Sequence, residues 1–71
     1  MKFIEVVHMG GIDCMISVDH IVSITATVLH SHDGDANACV IKDTNGDSYT
    51  ICDSYENTVA KLTSNAGIIE V

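Results

Sequence analysis

The stretch "IKDTNGDSYTI", residues 41–51, holds Asn45-Gly46 between two runs of β-formers, and no other dipeptide in the chain constrains the backbone as tightly. Asn and Gly tolerate positive φ, which a two-residue type I′ turn needs at both central positions and which matches the twist of the strands it joins. Asp43, Asn45 and Asp47 are also spaced like the first oxygen ligands of a helix–loop–helix calcium loop. That alternative needs Gly at the sixth loop position and a bidentate Glu at the twelfth, where Ser48 and Ser54 stand. It also needs flanking helices, whereas "CVI" and "YTIC" are β-branched, aromatic and Cys-containing. A hairpin is therefore expected.

A two-residue loop would set Thr44 opposite Asp47, and hence Lys42 opposite Tyr49, Val40 opposite Ile51 and Cys39 opposite Cys52. The two cysteines would then occupy a non-hydrogen-bonded position with Cα atoms about 4.5 Å apart, the short edge of the disulfide range, so a bridge is allowed but not required.

Upstream, "KFIEVVHM" and "CMISV" are short β-rich runs joined through Gly10-Gly11-Ile12-Asp13, a first hairpin. "HIVSITATVLH", residues 20–30, sets Val22, Ile24, Ala26 and Val28 against Ser23, Thr25 and Thr27, a strand with one apolar and one wet face. "SHDGDAN" has the composition of a polar loop. After the second hairpin the period changes: Asp53 and Glu56 have capping-box spacing, with Ser54 the rival N-cap, and Tyr55, Val59 and Leu62 form an apolar stripe. A helix of about ten residues ending between Asn65 and Gly67 follows, and "IIEV" is either a last short strand or a tail reaching another subunit. The expected architecture is one α+β domain, residues 1–71, in which a small curved antiparallel sheet of about five strands, from two hairpins and a long central strand, carries one short C-terminal helix.

A core this small typically supplies only about 3–5 kcal/mol, so small domains lean on a staple, a metal or a partner. The three cysteines form no CxxC pair, and no charged segment precedes an apolar run and cleavage site, which together point to a reducing cytoplasm. No apolar stretch approaches the roughly 20 residues that cross a bilayer, so no membrane partner is expected. With staple and metal set aside, self-association is the simplest remaining source of stability, and apolar residues at 46% exceed what so small an interior hides. The net charge of −7, with only Lys2, Lys42 and Lys61 against ten acids, excludes nucleic-acid binding through a basic patch.

The order "ISVDHIVSI", a variable segment, a strand, "NGDSYTI" and "DSYENTVAKL" resembles the small FlbD-like proteins, named for flagellar and swarming motility. The resemblance rests on residues 19–24, Asn45-Gly46, Asp53-Ser54 and the pair Val59 and Leu62, across about 50 of the 71 residues. It implies a small non-enzymatic accessory protein, of a kind also carried by phages and mobile elements. The insertion "TATVLHSHDGDANA" and the terminal "SNAGIIEV" extend beyond that pattern.

The candidate chemistry is sparse. His30 and His32 make a His-x-His pair beside Asp33 and Asp35, but structural zinc sites pair cysteines at two-to-four-residue spacing, so no metal and no cofactor is expected. Cys14, Cys39 and Cys52 fall in strands, where a buried thiol acts as a small hydrophobe. No nucleophile elbow or Gly-rich phosphate loop is present, and no enzymatic activity is expected. For a ligand held between subunits, Tyr55, Asn57 and Thr58 on the first helical turn, with Lys42, are the candidate binding residues. Two functions remain: a homo-oligomer that binds another protein, or a sponge that sequesters an anionic nucleotide signal at subunit interfaces.

Overall fold

The computed structural model describes residues 1–65 and 67–71. β1 (Lys2–His8) and β2 (Ile12–Ser17) form the first hairpin, with Val6 opposite Cys14 and His8 opposite Ile12. A single 3-10 turn, Val18–His20, leads into β3 (Ile21–Ser31), which pairs antiparallel with β4 (Gly34–Asp43). β5 (Ser48–Ile51), α1 (Tyr55–Ser64) and β6 (Ile68–Glu70) complete the chain. The result is α+β: an antiparallel sheet in the order β2-β1-β5-β4-β3, with β6 added to β1 and one short helix over one face.

Two constraints curl the sheet without closing it. β2 and β3 lie at opposite ends of the strand order yet are joined by only three residues, so the two ends must approach each other at that corner. There the Thr44 N–H donates to the His20 carbonyl at 2.9 Å. β1 divides its second edge between two partners, β5 at the pair His8–Ile51 and β6 from Lys2–Glu70 to Ile4–Ile68. The core under α1 is Ile4, Val6, Ile16, Cys39, Ile41 and Ile51, with Ile21, Ile24, Tyr49 and Leu62 packed at its margin.

The Asn45-Gly46 hairpin forms, but with a register one residue away from the two-residue turn. Observed partners are Cys39–Ile51, Val40–Thr50, Ile41–Tyr49 and Lys42–Ser48. Asp43 is the cause: its Oδ1 accepts the N–H groups of Asn45 and Asp47, each at 3.0 Å, and its own N–H donates to the Asp47 carbonyl at 3.0 Å. Thr44, Asn45 and Gly46 thus make a three-residue loop in which Gly46 has φ 86° and Asn45 stays at negative φ. Burial favours the same answer. Cys39 and Ile41 now share a face with Ile51 and Tyr49, whereas the two-residue register would set Ile41 against Thr50 and turn Ile51 to the other face. The expected Cys39–Cys52 pairing is therefore corrected: Cys39 is buried, Cys52 is exposed, and the three cysteines are free.

"SHDGDAN" is not a loop. Ser31 pairs with Gly34 around His32 and Asp33, and the flanking residues extend the two longest strands. β3 also lies at the sheet edge rather than at its centre, because β4 turns back onto it and β2 runs off toward β1. Its alternation is interrupted where the register shifts between Ile21 and Ser23. Val22 sits in that bulge at 64% exposure, while Ile24 returns to the core side. The tail takes the intrachain alternative: β6 pairs with β1, and the Val71 N–H donates to the Met1 carbonyl at 2.8 Å.

Candidate functional site

Ser54 resolves the choice of helix cap. Its Oγ accepts the Asn57 N–H at 3.1 Å, and its carbonyl accepts the Thr58 N–H at 3.0 Å. Asp53 braces the cap, accepting the Ser54 N–H at 2.9 Å and Asn57 Nδ2 at 3.0 Å on Oδ1, while Lys61 Nζ lies 3.4 Å from Oδ2. Burial pushes the Asp53 carboxyl upward, but these donors outweigh it and hold its pKa below the ordinary value. Negative charge at this end of the dipole is thus already supplied by Asp53 and Glu56, leaving little reason for an external anion to bind.

The four candidate binding residues do not converge. Asn57 is engaged with Asp53. Thr58 is 1% exposed, its hydroxyl donating to the Ser54 carbonyl at 3.0 Å and lying 3.3 Å from Cys39 Sγ, so it is a packing residue and not a surface ligand. Lys42 alternates with Ile41 along β4 and so points away from the face that α1 covers. Tyr55, at 37% exposure, is accessible, as are Asn57 and Lys42, but Lys42 lies on the other face of the sheet and Asn57 is tied to Asp53. The other lysines are equally dispersed, Lys2 opposite Glu70 across β1–β6 and Lys61 beside Asp53.

His30 and His32 lie at the tip of the β3–β4 hairpin. His30 Nδ1 is 2.7 Å from Asp35 Oδ1 with both side chains largely in solvent, a pairing worth little. Among the described residues no three His, Cys, Asp or Glu side chains gather as metal ligands would. A second polar group forms where the sheet curls, with His20 Nδ1 3.0 Å from Thr44 Oγ1 and the Tyr49 hydroxyl donating to Asp43 Oδ2 at 3.1 Å. Cys14 shares this cleft of about 170 Å³, and burial first, then the Asp13 charge, pushes its thiol pKa up. A thiol kept protonated is a poor nucleophile.

The remaining surface of interest is apolar and includes Tyr55 and Val59 of the stripe that helical periodicity marks. On a wheel of 3.6 residues per turn, Thr58 and Leu62 point into the core, Lys61 lies on the flank toward Asp53, and Tyr55 with Val59 lies on the opposite flank. That flank overhangs the open β3 edge. A cleft of about 210 Å³ is lined by Ala26, Val28 and Asn37 together with Tyr55 and Glu56, and a shallower groove along the helix continues past Val59 and Ala60. Among the described residues no helix is long and apolar enough to cross a membrane. The chain matches no protein-family model, no curated protein and no solved structure.

Proposed function

We propose that this chain is a non-enzymatic interaction protein that works as a homo-oligomer and acts by binding another protein. One observation carries the reading: among the described residues, ten large apolar side chains are exposed against seven apolar residues in the buried core, so much of the hydrophobic content has no use inside one subunit. Among the described residues, the outer strands β2 and β3 each pair on one side only, which leaves backbone donors and acceptors available for pairing. The resemblance to FlbD-like proteins supports an accessory role, since it rests on turn and cap residues that build a scaffold and carry no chemistry. A sponge for an anionic nucleotide is the less favoured reading, because the three lysines do not converge and the surface is strongly acidic.

Native mass spectrometry of the protein purified from its own cells tests this reading. We expect a mass that is a whole multiple of 7.6 kDa, without a retained small molecule. A single subunit at micromolar concentration refutes self-association, and a stoichiometric bound nucleotide favours the sponge.

A further inference from the structure

We infer that two copies of this chain pair through β3, antiparallel about a two-fold axis at Ala26, so that their sheets join into one. The inference rests on the homo-oligomer reading and names its interface. β3 pairs with β4 on one side only, and its other side is open over eleven residues. At about 3.4 Å per residue such a strand is roughly 37 Å long, comparable to the longest dimension of the molecule, 39 Å. No Asp, Glu, Lys or Arg lies between Asp19 and Asp33, the longest uncharged run in the chain, and no Pro or bulge interrupts residues 24–30. Open edges of soluble proteins are ordinarily blunted by such features. In a subunit of net charge −7, this is where a second, equally acidic copy meets the least repulsion.

The backbone is set for that pairing. Asp43 and Asp47 form a hydrogen-bonded pair, so by two-residue alternation Ile41–Tyr49 and Cys39–Ile51 do as well. Cys39 thus spends its N–H and C=O on β5, and its β3 partner Ala26 turns its own toward the open side, as do Ile24 and Val28. Ala26 is the midpoint of Ile21–Ser31, and a two-fold there matches the whole strand with its copy. Ile24 then faces Val28, and Thr25 faces Thr27, apolar against apolar and hydroxyl against hydroxyl. The Tyr55 and Val59 flank lies on the Ala26 and Val28 side, so the two clefts meet across the axis and add helix surface to the strand contact. Glu56 also lines the cleft but is exposed on the helix side away from Thr58. A standard interface takes about 800 Å² from each partner, a modest share of the 4636 Å² surface of one subunit.

The test uses Ala26→Cys in a background with Cys14→Ser, Cys52→Ser and Cys39→Ala, the last because Cys39 stands opposite Ala26 on β4 and would otherwise compete for the new thiol. Residues facing each other across a hydrogen-bonded antiparallel pair have Cα atoms about 5.5 Å apart, within disulfide range. Mild oxidation should therefore link this variant into a covalent dimer, whereas Val22→Cys in the same background, which the two-fold sets opposite His30, should not link. Separately, Val28→Lys, at a side chain already 44% exposed, should weaken association at least about tenfold in sedimentation while leaving the circular dichroism spectrum unchanged. If the parent protein is monomeric, this inference and the homo-oligomer reading fail together. If the parent is oligomeric but Ala26→Cys does not link, or Val28→Lys associates as before, the interface lies elsewhere and only this inference fails.

Discussion

Replacing Asp43 by Ala removes the acceptor that sets the register of the β4–β5 hairpin. Two backbone N–H groups, of Asn45 and Asp47, each 3.0 Å from Oδ1, lose their partner. At about 0.5–1.5 kcal/mol net for each bond, the loss is about 1–3 kcal/mol. A 71-residue domain is stable by about 4–11 kcal/mol at 0.05–0.15 kcal/mol per residue, so this is a sizeable fraction. It corresponds to a fall in melting temperature of about 5–20 °C. Asp43→Asn keeps an oxygen for both donors and should recover more than half of that loss. Urea unfolding of the three proteins gives the comparison directly.

The same substitution has an optical signature. The Asp43 hydrogen bond first, then burial, then the charges of Asp43, Asp47 and Cys14 hold the Tyr49 phenol above its ordinary pKa. A raised folded-state value means that this contribution is fully present below the ordinary phenol pKa and is lost as pH rises through the folded one. In Asp43→Ala the phenolate absorbance should therefore appear at lower pH, and the stability gap to the parent should narrow in alkali. A melt within about 2 °C of the parent, or an Asn variant no better than the Ala variant, would refute the assignment of the register to this carboxylate.

Thiol labelling of the native protein should modify exposed Cys52 quickly, half-buried Cys14 slowly and Cys39 only on unfolding; recovery of an intrachain Cys39–Cys52 bridge from the folded state would contradict the observed pairing. Asp53→Asn should cost stability near neutral pH and little at about pH 3, because a depressed carboxyl pKa contributes above its unfolded value and is lost as pH falls through the folded one; equal costs at both pH values would count against the brace on the cap. Ile41→Ala, at a fully buried position, should cost about 2–5 kcal/mol and leave much of the chain unfolded, and a cost below about 1 kcal/mol would mean that Ile41 is not at the core's centre. Deleting residues 67–71 uncovers the β1 edge from Lys2 to Ile4 and should lower the melting temperature of the subunit itself; an unchanged melt with weaker assembly would return the tail to an intersubunit role.

The elements that depend on neighbours in the chain could be read from the sequence. Asn45-Gly46 announced a hairpin, Gly10-Gly11 another, and the Asp53–Glu56 segment a capped helix ending at Asn65, which adopts the left-handed conformation with φ 61°. Each depends on backbone torsions and hydrogen bonds within a few residues, so local composition suffices. The hairpin register lay at the limit of that legibility. Asp43 is a good first residue for a turn, but whether its carboxylate takes two N–H groups is decided only once Ile41 and Ile51 must share the covered face.

What the tertiary structure alone decided concerns which surfaces are covered. Thr58 reads as a polar helix residue and a candidate ligand, yet it is buried because the helix axis places it over Cys39 and its hydroxyl is satisfied within its own turn. The long apolar strand suggested a central position, but strand order, which depends on long-range pairing, left it at the edge with Val22 and Val28 exposed. "GIIEV" looked free for a neighbour because nothing local shows that β1 has half an edge unfilled by β5. Periodicity marks which side chains are apolar. Whether they are buried in the subunit or left on its surface depends on strand order and helix placement, which arise from contacts between residues far apart in the chain.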